Sequence, residues 1–193
     1  DPPLRFEGFE GRGTMRAGHE LVWDQSHILQ SGNYTGTYTF DGTVREVAGW
    51  IGQRDHSWGI RDHGRCPLWL WWQIQLDDGF LGVWHWELPD GRRVYTDGCW
   101  AGTDGSDPVP VVDFRTDVSW LDAEGKPADY GLHGDEIVGL AGPSTFTLAD
   151  GRTIVVEAEG TFARPYEPFH RGGLNLMTVR TGDGREGTAI YEV

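Results

Sequence analysis

Leu68-Trp69-Leu70-Trp71-Trp72-Gln73-Ile74-Gln75-Leu76-Asp77-Asp78-Gly79-Phe80-Leu81-Gly82-Val83-Trp84-His85-Trp86-Glu87-Leu88 is the stretch whose reading decides the fold. Side chains alternate across a strand, so Leu68, Leu70, Trp72, Ile74 and Leu76 share one face, and Trp69, Trp71, Gln73 and Gln75 share the other. Both faces carry aromatics. This run is therefore expected to be covered by core on one side and by a cavity or a second sheet on the other. Asp77-Asp78-Gly79 turns the chain. In the return run Leu81, Val83, His85 and Glu87 oppose Phe80, Gly82, Trp84, Trp86 and Leu88.

The same rhythm extends in both directions. Asp-Gly recurs at Asp41-Gly42, Asp78-Gly79, Asp90-Gly91, Asp104-Gly105, Asp150-Gly151 and Asp183-Gly184. Asp-Gly between apolar runs signals a tight hairpin, because both residues tolerate positive φ. Upstream, Leu4 to Ala17 reads as a strand pair or one bent strand, extended by His19 to Trp23, and Asn33 to Phe40 and Val44 to Ile51 read as a hairpin. Downstream, Arg92 to Ala101, Val111 to Leu121, Thr145 to Leu148 with Thr153 to Phe162, and Gly173 to Thr181 with Gly187 to Val193 read as strands. Asp122 to Asp135 and Arg164 to Arg171 read as irregular. Roughly ten antiparallel strands must manage their edges, and an antiparallel β-barrel does so, with a β-sandwich as the alternative.

The 193 residues fit one domain spanning 1–193. A net charge of −14 argues against nucleic acid or an anionic membrane surface as a partner, since both need basic patches. No apolar run approaches the ~20 residues of a membrane-spanning helix, so membrane insertion is not expected. Cys66 and Cys99 do not form a disulfide framework, and a cytoplasmic protein with reduced thiols is the default. The ten Trp, eight Phe and six Tyr suit a lined cavity and a small hydrophobic molecule as partner. The chain opens on Asp1-Pro2-Pro3 without an initiator Met and reads as a processed or truncated product.

Between the strand-like runs ending at Ile51 and resuming at Leu68 lies Gly52-Gln53-Arg54-Asp55-His56-Ser57-Trp58-Gly59-Ile60-Arg61-Asp62-His63. It packs Arg, Asp and His around a Trp and reads as a site. The bland alternative is an ion-pair corner, with Asp55 and Asp62 held by Arg54 and Arg61. His56, His63 and His85 with Asp55, Asp62 and Glu87 are borderline ligands, but no His-x-His or His-x3-His pair falls on an expected element, so no metal is assigned. No Gly-rich phosphate loop opens a helix, and no cofactor is assigned. His19, His27, His133 and His170 read as ordinary loop or strand-end residues.

Asp55-His56-Ser57-Trp58-Gly59 resembles the Asp-His-x-Trp-Gly signature of the lipocalin-like (calycin) carotenoid 1,2-hydratase and AttH-type group. Val47 to Gln53 and Gly187 to Glu192 are similar to it as well. The resemblance implies a lipocalin-like barrel corresponding to the second barrel of a two-barrel protein, with a second lipocalin-like domain or a homodimer as partner. It also implies a hydratase, isomerase or cyclase acting on an isoprenoid, steroid or polyketide-like substrate in a barrel cavity. In that group a His and a Trp two residues apart work with a Tyr-x-Asp pair on the next strands. His56 and Trp58 match the first pair; for the second, the region Val83 to Glu87 offers His85-x-Glu87 instead.

Chemically, adding water to an alkene needs an acid beside an apolar pocket and an aromatic wall for the cation. The expected catalytic residues are His56, Asp55, Glu87 and His85. Trp58, Trp69, Trp71, Trp84 and Trp86 are the expected substrate-binding wall. His56 and Trp58, two apart, are expected to share the pocket face. Asp55 is then an orienter from behind or the partner of an Arg. The rival reading is a non-catalytic lipocalin-like binding domain. It is decided by whether Asp55, His56 or Glu87 points into the cavity beside the Trp residues.

Overall fold

The computed structural model describes residues 10–17, 19–62, 68–87, 91–128, 137–161 and 174–193. Leu4 to Phe9, His63, Cys66, the Pro89-Asp90 turn, His133 and the Arg164 to Arg171 segment lie outside them. Every regular element among the described residues is a strand, and no helix there is long and apolar enough to cross a membrane.

Eight strands close a barrel. β4 (Leu68–Leu76), β5 (Gly79–Glu87), β6 (Arg93–Gly102), β7 (Val109–Thr116), β10 (Gly139–Leu148), β11 (Thr153–Thr161), β12 (Leu174–Thr181) and β13 (Glu186–Glu192) each pair antiparallel with the next, and β13 pairs back onto β4. The short β8 (Ser119–Leu121) and β9 (Pro127–Ala128) hang from the end of β10. A closed ring leaves no edge strand, which is how an antiparallel β-barrel solves the problem posed by so many hairpins.

The barrel interior is filled. Leu70, Trp72, Ile74, Leu81, Val83, Phe114, Phe146, Val156, Met177 and Tyr191 are among the residues that pack there. The rings of Trp72 and Tyr191 lie 4.5 Å apart, and those of Phe114 and Phe146 5.1 Å apart. An eight-stranded barrel is just wide enough for side chains to fill, and these large ones do so. The Trp residues expected to line a barrel cavity, Trp69, Trp71, Trp84 and Trp86, instead point outward from the wall and form a second cluster.

A second sheet covers that outer wall, comprising β1 (Glu10–Ala17), β2 (Glu20–Phe40) and β3 (Thr43–Arg61). β2 and β3 form one long hairpin over Asp41-Gly42, where φ is 47° and 72°, the pair of positive values a two-residue turn needs. The polar stretch 52–61 does not join strands, as its composition suggested; it lies within β3. Its alternation pairs it residue by residue with Trp23 to Gly32 of β2. From Asn33 to Glu46 the hairpin projects into solvent. Nearer its base it lays Trp23 and Leu29 onto Trp71, Trp84 and Trp86. Strand β4 is thus buried on both faces, as its sequence required, with a second sheet as the outer cover.

Close backbone approach constrains the wall. A Cβ on Gly98 in β6 would sit 2.1 Å from the carbonyl oxygen of Gly82, whereas one on Gly32 in β2 meets nothing within 4 Å. Gly98→Ala is therefore expected to lower the Tm by about 10 °C, since overpacking against rigid backbone costs about 3 kcal/mol in a chain of this size. Gly32→Ala should leave it unchanged or slightly raised. Thermal unfolding of both variants checks this.

Candidate functional site

The outer wall carries its side chains in rows running across the strands. Cross-strand pairing places Glu192 of β13 beside Trp71 of β4, Trp71 beside Trp84 of β5, and Trp84 beside Asp97 of β6. The next row holds Trp69, Trp86 and Tyr95, and the row on the other side holds Ile190, Gln73 and Gly82. A carboxyl group therefore stands at each end of an indole pair. Directly opposed side chains on one sheet face have Cβ atoms about 5 Å apart, so these groups are neighbours along the row.

The hairpin lowers a second layer onto this wall. Its inward residues include Gln25, His27, Leu29 and Ser31 of β2, facing Gln53, Asp55 and Ser57 of β3. His27 is 2% exposed and stands edge-on to Trp84, ring centroids 4.8 Å apart, with Trp71 at 6.1 Å. Its Nε2–H donates to the Asp55 carboxylate, and its Nδ1 has no partner among the described residues. Around the rings, Trp84 and Trp86 meet at 4.9 Å and 88°, and Tyr95 packs against both at 5.3 and 5.1 Å.

Burial sets the acidity of the two carboxyls. Glu192 is pushed up to about 7, first by loss of solvent and then by the negative charge of Asp55. Asp97 is raised by burial, against the opposing pull of hydrogen bonds from the Tyr95 hydroxyl at 3.1 Å and the Gly98 amide at 2.8 Å. Tyr95 is raised as well, by burial and by Asp97. Glu192 thus holds or releases a proton near neutrality, the property a general acid–base group needs.

A groove of about 850 Å³ opens beside this cluster, between the hairpin and the wall. Ile51 and Gln53 of β3, Gln73 and Gln75 of β4, Leu176 of β12 and Ile190 of β13 line it. Same-face neighbours on a strand are ~6.8 Å apart. One such step from Gln53 reaches Asp55, one from Gln73 reaches Trp71, and one from Ile190 reaches Glu192. The lining of the groove thus stops one same-face step short of Asp55, Trp71 and Glu192.

The residues expected from sequence are distributed differently from that expectation. Asp55 lies on the wall-facing side of β3, at the rim and 40% exposed, and joins His27; Arg54 bonds Gln30 at 2.7 Å, and Arg61 reaches Ser57 at 3.4 Å. His56 and Trp58 face outward instead of into a pocket. They stack at 5.2 Å on the exposed side of β3, Trp58 being 45% exposed, because Asp55 and Ser57 occupy the inward positions of the alternation. His85 points into the barrel core. Its Nδ1 accepts from the Thr96 hydroxyl at 2.7 Å and its Nε2 meets Glu87 at 3.3 Å, and burial holds its pKa below the ordinary value. His85 and Glu87 therefore stand away from the outer groove. Trp69, Trp71, Trp84 and Trp86 form the wall, while Trp58 does not join them.

Three members were not singled out from sequence. His27 read as an ordinary histidine. Glu192 was noted only within a matching segment. Tyr95-Thr96-Asp97 is the Tyr-x-Asp pattern sought around Val83 to Glu87, and it lies one strand further on. Among the described residues no group of three His, Cys, Asp or Glu side chains is arranged to hold a metal ion. Cys99 is buried and unpaired, its thiol pushed up to about 12 by loss of solvent and by Asp97.

Glu192 carries a pH signature. Its pKa is raised from 4.5 to about 7 in the fold, so the folded state retains the proton longer than the unfolded chain. Stability then falls as pH rises from about 4.5 to about 7, by on the order of 3 kcal/mol, and stays reduced above that. Glu192→Gln, neutral at every pH, is expected to raise the Tm by several degrees at pH 8.5 and to leave it nearly unchanged at pH 4. A pH series of melting curves for both proteins measures the difference.

No curated protein sequence matches the chain. Among solved structures it is similar to kievitone hydratase from Nectria haematococca, at 13% identity and a TM-score of 0.43, over 93% of this chain and 55% of that one. The chain thus spans about half the length of that protein. The family model of a domain of unknown function, DUF7064, matches residues 3–193. With the match running over nearly its whole length, the chain belongs to the DUF7064 family.

Proposed function

We propose that this protein is an acid–base enzyme that protonates a hydrophobic, uncharged substrate held between the hairpin and the barrel wall, leading to hydration or isomerisation. The observation that carries this reading is Glu192, with a pKa of about 7, set against the Trp71 indole and facing the Asp55–His27 pair.

In the proposed step the Glu192 carboxyl proton bonds to one carbon of a substrate double bond, using its π electrons. The adjacent carbon becomes cationic, and the Trp71 indole stabilises it as it would any cation held near an indole. A water molecule then forms a C–O bond to that carbon and gives its extra proton to the Asp55–His27 pair, completing hydration. Loss of a proton from a neighbouring carbon to the same pair instead gives an isomerised alkene. Either route needs a return proton transfer to Glu192, whose raised pKa reflects in part the negative charge of Asp55. Asp97 with Tyr95 offers a second acid at the far end of the indole row, in the order of the Tyr-x-Asp pattern. The enzyme reading is supported over the rival binding-domain one by Asp55, which lies on the wall side of the hairpin bonded to His27.

Deuterium incorporation tests the proposal without knowledge of the final product. The protein is incubated in D2O with a panel of neutral aryl alkenes and cyclic enones, and mass shifts are read in recovered substrate and product. Catalysed incorporation is expected, falling about 10²–10⁴-fold in Glu192→Gln. Incorporation that survives in Glu192→Gln but is lost in Asp97→Asn would move the acid to the Tyr95 end. Incorporation by none of the panel, or insensitivity to both variants and to Asp55→Asn, would overturn the acid–base reading.

A further inference from the structure

The groove contains a feature that proton transfer does not use. Gln73, 2% exposed on the barrel wall, has neither its amide nitrogen nor its amide oxygen bonded to any described residue. Gln53, on the hairpin strand, is in the same state, and both residues line the groove. They approach it from opposite sides, one from each sheet. Gly82 is the cross-strand neighbour of Gln73 and brings no side chain beside it. Ser31 Oγ, opposite Gln53 in the register of the hairpin, also has no partner among the described residues. Buried amides without partners cost stability unless something bonds them, and each amide presents donor and acceptor together.

We infer that Gln53 and Gln73 form a recognition clamp for a neutral group that both donates and accepts hydrogen bonds, carried on an apolar body. The inference rests on the same groove as the acid–base reading and names its ligand class: an oxygenated or amide-bearing molecule, not a pure hydrocarbon and not a carboxylate. Ile51, Leu176 and Ile190 supply the apolar part of the lining. Anions are disfavoured because the groove's charged liner is Glu159 and no cationic side chain lines it among the described residues. The net charge of −14 acts in the same direction. The clamp sits one same-face step from Trp71 and Asp55, so it positions the polar end of a ligand while the apolar remainder reaches the indoles.

Three probes of one skeleton test this: 2-naphthamide, 2-isopropylnaphthalene and 2-naphthoate, measured by equilibrium dialysis. The amide and isopropyl groups are similar in shape, so their difference isolates hydrogen bonding. The protein is expected to bind 2-naphthamide about ten-fold or more tightly than either of the others, the size of effect that follows from leaving buried polar groups unpaired. Gln73→Leu is expected to remove the preference over 2-isopropylnaphthalene, and Gln53→Leu, on the other sheet, to reduce it. The second variant decides the matter if the first does not fold, as judged by circular dichroism. Equal binding of the amide and isopropyl probes, tightest binding of the naphthoate, a preference that persists in both variants, or no binding of any probe would each overturn the clamp. Dialysis needs no turnover, so the preference is read even if every deuterium experiment fails. Its retention in Glu192→Gln would separate recognition from proton transfer.

Discussion

Strand β4 has no face that can be left in water, and the rest of the structure follows from that constraint. Its inward side chains, Leu70, Trp72, Ile74 and Leu76, complete the barrel core. Its outward ones, Trp69 and Trp71, continue into Trp84 and Trp86 on β5. An indole buries 150–250 Å² and each Å² of apolar surface removed from water contributes about 25 cal/mol, so leaving this row uncovered would forfeit several kcal/mol per ring. Closing the barrel does nothing for these rings, because they point away from its axis. Only a second layer can cover them, and the β2–β3 hairpin supplies it through Trp23, Leu29 and His27.

The cover is not a purely apolar one, and the departure is concentrated at one seam. A hairpin built only to shield indoles would present leucine and valine. This one presents Gln25, His27, Ser31, Gln53 and Asp55 to the wall, opposite Gln73 and Glu192. A buried polar atom without a partner costs about 1–3 kcal/mol. Several such atoms lie between the two sheets, while the barrel core, the other large buried region, is largely apolar. Stability is given up where the two sheets meet, which is the pattern expected of a binding surface whose polar groups bond an occupant.

Much of the architecture was legible because period-two alternation and Asp-Gly turns are local signals. The pattern of β4 and β5 and the hairpin between them followed from residues close in sequence, whereas closure, for which a barrel and a sandwich were both open, depended on the pairing of β13 with β4. The site was less legible for a physical reason. In β3 both sets of alternating residues are polar, Gln53, Asp55 and Ser57 on one side and Arg54, His56 and Trp58 on the other, so hydrophobicity could not say which side was inward. Only the pairing with β2, whose buried His27 lies opposite Ser57, settles it. Cross-strand neighbours far apart in sequence, such as Glu192, Trp71, Trp84 and Asp97, share a row only once the barrel has closed. Tyr95-Thr96-Asp97 was visible as a motif, but assigning it needed the register of β6 against β5.

The size of the barrel explains why the candidate site lies outside it. Eight strands enclose a space that Trp72, Phe114, Phe146, Met177 and Tyr191 occupy, and His85 enters it only with its two ring nitrogens bonded to Thr96 and Glu87. An interior so filled has little room for a ligand without repacking large side chains, and close-packed cores resist that. The outer seam has the opposite character. Its two walls belong to different sheets, and β3 is hydrogen-bonded only to β2 among the described strands. The hairpin is held to the wall by side-chain packing, through Trp23, Leu29 and His27, and not, among the described residues, by a shared strand ladder. The acid–base chemistry proposed above draws on residues of both layers, Glu192 from the barrel wall and Asp55 with His27 from the hairpin.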